Sequence, residues 1–187
     1  MSEMLINIGV SEYPKIPRNF LIMTCKLCKS KPVWKFTNQQ QLCAGCFVRY
    51  FEKKVKSTIK KYQMPVCSLR KNSLKAKIVN NIIKNLQEIP GRKGKLSDNS
   101  LNDISNKIIY IMMYGKESQL KKLLPKNHPL YFLSDKEIKL YAKIKKIKAR
   151  LEKPKDKLAE INSFVNKIEE KNPDIRHNII GALLKIK

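Results

Sequence analysis

The chain is 187 residues long and carries 40 lysines and arginines against 15 acidic residues, a formal net charge of +25 at pH 7, with 42% hydrophobic residues. That hydrophobic content supports a packed core and excludes wholesale disorder, and the length allows one domain or a small module beside one modest domain. So large an excess of one sign calls for an anionic partner, nucleic acid first and an anionic membrane second. A membrane span is excluded, because apolar runs such as 20–23 and 108–113 are far too short. A hyperthermophile's lysine-rich surface is a weaker reading of the charge, since such surfaces are also rich in glutamate.

Residues 1–24, with Pro14 and Pro17 and no clear period, read as an extended arm entering a strand at 20–23. Two tight pairs follow, Cys25-Lys-Leu-Cys28 and Cys43-Ala-Gly-Cys46, fourteen residues apart. Each Cys-x-x-Cys turn can aim two thiolates at one ion, and two such turns complete the tetrahedral shell of a closed structural zinc site. Two disulfides would leave the fifth cysteine, Cys67, odd, and the chain is expected to carry no secretory leader; an iron–sulfur cluster fits the paired spacing less well. Short strands at 32–36 and 39–42 between the pairs make a zinc ribbon that opens directly into a helix. A filled four-thiolate shell leaves no position for catalytic water, so the metal is structural.

Phe47, Tyr50, Phe51, Val55 and Ile59 recur at helical spacing over 47–61, with Arg49, Lys53, Lys54, Lys56, Lys60 and Lys61 on the remaining surface. Pro65 ends that helix. A second begins near Ser73, burying Leu74, Ile78, Ile82, Ile83 and Leu86, and stops at Pro90. The run Gly91-Arg92-Lys93-Gly94-Lys95 lacks the spacing of a phosphate loop and reads as a basic turn that touches phosphate through Arg92 and Lys93. A third helix starts at Asn99 or Ser100 and closes at Gly115 as a left-handed cap; a short helix spans 117–124.

Ser134-Asp-Lys-Glu137 is a capping box. The helix it starts places Ile138, Tyr141, Ile144, Ile147 and Leu151 on one side and Lys139, Lys143, Lys146 and Arg150 along another, a basic line about 16 Å long at ~1.5 Å per residue. Helices at 158–171 and 178–186 complete the chain. The expected fold is mainly α, with an N-terminal four-cysteine zinc ribbon on a small β-hairpin and a bundle-like helical remainder. It divides into an arm (1–24), ribbon and first helix (25–64), a basic helical region (65–157) and a C-terminal helical segment (158–187).

Local context marks no active site. His128 and His177 lie beside turns without a nucleophile as partner, Asp103 lacks an obvious second carboxylate, and Cys67 reads as a small hydrophobe. Trp34, Tyr131 and Phe132 are expected to pack in cores rather than stack on bases.

Several stretches resemble the zinc-finger, PP-loop tRNA 2-thiouridine synthetases of archaea and the eukaryotic cytosol. Cys25-Lys-Leu-Cys28 with Lys31-Pro32-Val33, then Leu42-Cys43-Ala-Gly-Cys46-Phe47 and Tyr50-Phe51-Glu52, look like that family's ribbon and first helix. Leu101-Asn102-Asp103 onward to Met113 and Gly115 looks like the helix after its Leu-Asp-Asp stretch, Pro129-Leu130 with Lys136 to Ala142 like the segment after that, and 164–180 like its closing stretch. The family's Ser-Gly-Gly-Lys-Asp-Ser phosphate loop, catalytic cysteine pair and C-terminal zinc finger have no counterpart here. The resemblance therefore implies a degenerate member with an RNA-facing surface, without ATP use or sulfur transfer.

The expectation is a cytoplasmic, non-catalytic RNA-binding protein with one structural Zn²⁺ (Cys25, Cys28, Cys43, Cys46), no membrane contact and no nucleotide cofactor. Its phosphate contacts are Arg49, Lys53, Lys56, Lys60, Arg92, Lys93, Lys139, Lys143, Lys146 and Arg150. The charge favours a ribosomal component on rRNA among neighbouring ribosomal proteins; the alternative is a partner subunit that holds tRNA for a thiolation enzyme.

Overall fold

The computed structural model describes residues 24–84, 86 and 94–186. The arm up to residue 23, the strand expected at 20–23, and Arg92 and Lys93 lie outside these residues. The architecture is mainly helical, with one two-stranded antiparallel hairpin beside the four cysteines near the N-terminus. Strand β1 (Trp34–Lys35) pairs with β2 (Gln41–Leu42), setting Trp34 opposite Leu42 and Lys35 opposite Gln41.

Helix α1 (Ala44–Lys61) buries Cys46, Phe47, Phe51, Val55 and Ile59, the stripe its 3.6-residue period dictates. Its end is set before Pro65. Gln63 takes a left-handed φ of 52°, its N–H reaches Lys60 O at 3.2 Å, and the Met64 N–H reaches Ile59 O at 3.0 Å. This pair of bonds is a Schellman motif made without glycine, and it drives Met64 into full burial.

Ser73 caps α2 (Leu74–Ile83), and Ser100 with Asp103 forms a capping box on α3 (Leu101–Tyr114). Gly115 ends α3 with φ −106°, so it is not the left-handed cap expected of it. A Cβ there would lie 2.9 Å from Ile111 Cα, so glycine is needed for close approach rather than for handedness. The expected helix at 117–124 is 3-10 in form (Glu117–Leu123), followed by a second 3-10 turn at Pro125–Asn127.

Helix α4 (Asp135–Ile144) has the expected Ser134–Glu137 capping box but is shorter than the sequence suggests. Lys146 adopts φ 54°, its N–H bonds Lys143 O at 3.3 Å and the Ile147 N–H bonds Ala142 O at 2.9 Å, a second Schellman motif without glycine. The turn sends Ile147 back onto the core and relieves stacking of like charges along a longer helix. Helices α5 (Asp156–Lys171) and α6 (Ile175–Lys185) both begin earlier than expected.

Two clusters of buried side chains organise these elements. One joins the ribbon to α1, α2 and α4 through residues such as Phe47, Phe51, Ile78, Leu130 and Tyr141, the last stacked on Phe51 with ring centroids 4.2 Å apart. The other joins α3 to α6 through Leu101, Ile104, Ile108, Ile180 and Leu183. Tyr131 is fully buried in the second cluster and Phe132 packs at its edge, the packing roles expected of both. Among the described residues, no helix is long and apolar enough to cross a membrane.

Candidate functional site

The strongest local arrangement is the cysteine cluster. The Cys25 N–H bonds Ser30 O at 2.9 Å and the Lys29 N–H returns to Cys25 O at 3.0 Å, with Lys29 at φ 63°, closing the first Cys-x-x-Cys into a tight loop. The second pair sits on the start of α1, where Cys43 is the N-cap and Cys46 lies in the first turn. The Lys26 N–H to Gln41 O bond, at 2.9 Å, holds the two loops together.

As a result the Sγ atoms of Cys25, Cys28, Cys43 and Cys46 all lie within 4.8 Å of one another, positioned to bind one metal ion. Sulfurs at the corners of a tetrahedron around one ion, with bonds of ~2.3 Å, stand about 3.8 Å apart. The Cys28–Cys43 and Cys28–Cys46 separations are 3.3 and 3.7 Å, so the cage matches a single ion and is too tight for four irons with their bridging sulfides. Burial raises the Cys25 thiol, but N–H groups of Cys43, Leu27 and Cys28 outweigh it and bring the pKa down to about 6. Neighbouring Cys43, then burial, push Cys46 up to about 12. Thiols this crowded cannot all ionise unless a cation sits among them.

Eight of the ten basic residues expected at an RNA surface are described, and all are exposed: Arg49, Lys53, Lys56 and Lys60 on α1, and Lys139, Lys143, Lys146 and Arg150. The single 16 Å line expected of the second four does not form. Only Lys139 and Lys143 lie on α4, while Lys146 is in the left-handed turn and Arg150 is in the segment beyond. Lys139, Lys143, Lys146 and Lys148 instead surround a shallow groove floored by Leu74, Ala142, Ile147 and Leu151. Lys54, read as a surface lysine, is half-buried; it donates to Tyr50 Oη at 2.8 Å and pairs with Glu137 at 3.8 Å.

Sequence reading missed a polar centre between α2 and α3. Lys75, 6% exposed, sends its ammonium to Asp103 at 2.5 Å, Asp135 at 3.0 Å and Ser100 Oγ at 2.9 Å. Asp103 therefore does share its site with a second carboxylate, brought in from thirty-two residues along the chain by the α4 N-terminus. Nearby, Asp98 accepts from Ser73 Oγ at 2.6 Å and Lys71 at 3.0 Å. Burial opposes ionisation of Asp98, but these two bonds hold its pKa below the usual carboxylate range. Lys71, Lys75, Lys107 and Lys153 with Asp98, Asp103 and Glu152 line a cavity of about 230 Å³. No local motif announces it, because its members are scattered from residue 71 to residue 158.

The Lys75 cluster yields a stability test. Lys75→Met leaves Asp103 and Asp135 facing each other without a cation; both are about a quarter exposed, so solvent screens part of the cost. We expect a loss of about 2 kcal/mol, a Tm drop of roughly 4–8 °C for a chain of this size, read by thermal unfolding. An unchanged Tm would mean that the cluster does not stabilise the fold.

His128 is buried with Nε2 3.4 Å from Lys122 O, its pKa lowered by burial, and Cys67 donates weakly to Gly94 O at 3.3 Å. The fold thus gives neither a nucleophile–base pairing.

No protein-family model matches the chain, and no curated protein matches it as a relative. A solved structure does: the U34-tRNA thiolase NcsA of Methanococcus maripaludis, with its [4Fe-4S] cluster, superposes with a TM-score of 0.59 over 88% of each chain at 13% identity. The fold is therefore that of this thiolase. The finding overturns the expectation of a protein without catalysis, which rested on the absence of local motifs: the fold is shared with an enzyme.

Proposed function

We propose that this chain acts on tRNA within a tRNA thiolation system. A fold shared with a U34-tRNA thiolase over 88% of both chains is the observation that carries the reading, and it favours tRNA over the ribosomal RNA that charge alone suggested. The excess of +25 supplies the attraction, and the exposed lysines and arginines of α1 and the α4 region contact phosphates without reading bases. The four-cysteine cage holds Zn²⁺ in a closed tetrahedral site, making the ribbon a rigid foot from which α1 presents Arg49, Lys53, Lys56 and Lys60. A chain with this partner works in the cytoplasm.

Filter binding of full-length tRNA across a salt series tests the reading. Log affinity should fall steeply with log salt, and replacing Lys139, Lys143 and Lys146 together by glutamine should flatten the slope by roughly two to three units. An unchanged slope rejects that face. Equal affinity for tRNA and for a ribosomal RNA fragment of the same length rejects tRNA as the preferred partner.

A further inference from the structure

A cleft of about 530 Å³ lies between the ribbon hairpin, α1, the start of α4 and the α5–α6 turn. It joins an aromatic wall to a group of carboxylates. On one side stand Trp34, Phe36 and Tyr50, all half-buried, with Phe36 edge-on to Trp34 at 6.1 Å and to Tyr50 at 5.0 Å between ring centroids. On the other come four carboxylates, Glu137, Glu169, Glu170 and Asp174, with Lys54, Lys136 and His177 also in the lining; Lys54 pairs with Glu137 at 3.8 Å and Lys136 with Glu169 at 4.0 Å.

Two of the four have structural duties. Glu137 caps α4 and accepts from Tyr50 Oη at 3.2 Å, and Glu169 accepts from Arg176 at 3.2 Å. Glu170 and Asp174 are exposed and their carboxylates enter none of the hydrogen bonds or ion pairs identified among the described residues. A pair of carboxylates repels phosphate, so this cleft is not an extension of the basic surface. Lys35 and the exposed Lys136, which pairs with Glu169, also line it and suit a passing backbone.

We propose that the cleft takes an unpaired guanine of the bound RNA. The Tyr50 ring already carries the Lys54 ammonium 5.3 Å from its centroid, so Trp34 and Phe36 are left to stack a base. The carboxylates then choose among bases by their Watson–Crick edges. Guanine presents N1–H and N2–H side by side, matching the two oxygens of one carboxylate, whereas uracil flanks its one N–H with two carbonyl oxygens that a carboxylate repels. Cytosine and adenine offer an amino donor next to a ring acceptor and fall between. The proposal rests on the tRNA-binding reading but concerns a different part of the surface and a different chemistry.

Trp34 is the only tryptophan of the chain, so its fluorescence reports on the cleft directly. Titrating the full-length zinc-loaded protein at high salt, where phosphate attraction is screened, with the RNA hexamers UUGUUU and UUUUUU should quench Trp34 at about tenfold lower concentration for the guanine-containing hexamer. The double variant Glu170→Gln, Asp174→Asn, both on the surface, should abolish that preference while the zinc content and thermal unfolding stay those of the parent. Phe36→Leu should weaken both hexamers several-fold. Equal affinities of the two hexamers, or quenching by a lysine-rich peptide in preference to either, overturns the proposal even when tRNA binding itself is intact. Loss of tRNA binding in the parent protein overturns the functional reading instead.

Discussion

Chelating the metal, or replacing any one of Cys25, Cys28, Cys43 or Cys46 by serine, is expected to unfold the ribbon while leaving much of the helical body folded. The hairpin rests on two-residue strands, and no two-stranded ribbon of that length is stable in water by itself. What holds it is the cage, in which Cys25 is fully buried and Cys46 anchors the first turn of α1. Structural zinc contributes apparent free energies of about 10–16 kcal/mol in small finger domains, far more than the hairpin's own contacts supply. Trp34, packed 5.5 Å from Phe47 between ring centroids, should pass into water, with a red shift and loss of intensity in its emission. Metal analysis should find one zinc per chain before chelation, and a chromogenic zinc indicator should capture it afterwards. Cys67→Ser, outside the cage, should keep both the metal and the Trp34 spectrum. Brown, iron-containing protein, or a ribbon indifferent to chelators, would overturn the assignment. Because α1 begins inside the cage, tRNA affinity should fall with the metal, through Arg49 and Lys53 first.

What could be read from the sequence is what lies close along the chain. The cage was legible because each pair of ligands sits within four residues, and the Ser134–Glu137 box because a cap and its reciprocal partner are three apart. The helix ends at Gln63 and Lys146 were not legible: both take left-handed backbone at a cost of about 1 kcal/mol, repaid by burying Met64 and by turning Ile147 onto the core, and a non-glycine residue gives no warning of either. The consequence for function is concrete, since the single straight basic line became a groove with an apolar floor. The polar cavity was hidden for a different reason. Lys75, Asp98, Asp103 and Asp135 each look like ordinary members of separate helices until α2, α3 and α4 bring them together, and residue identity alone carries no record of that meeting. The expectation of a non-catalytic protein, drawn from missing motifs, is overturned by the fold shared with a thiolase and not by any local feature.

The same reasoning locates the largest single-residue effect outside the ribbon. Arg176→Met is expected to cost about 4 kcal/mol, within the ~3–5 kcal/mol range for breaking a buried ionic network by removing one partner. Arg176 is completely buried in the first turn of α6, a rare place for a guanidinium. Its Nη1 donates to Ser105 Oγ at 2.8 Å and Asn106 Oδ1 at 2.9 Å on α3. Its Nη2 reaches Asn162 Oδ1 at 3.2 Å and Asn166 Oδ1 at 2.7 Å on α5, and its Nε pairs with Glu169 at 3.2 Å. One side chain thus ties three helices, and methionine would fill its volume while stranding a carboxylate and several amide and hydroxyl oxygens. Arg176→Lys should fare little better, because a point ammonium cannot span acceptors on two helices at once. Urea unfolding should show the midpoint lowered with the slope unchanged. Since Glu169 and Asp174 flank the aromatic cleft, the variant should also dull the guanine preference of UUGUUU over UUUUUU while the zinc content stays at one per chain. A stable Arg176→Met protein that keeps the preference would mean that α6 is held by its apolar face alone and that the network serves neither fold nor cleft.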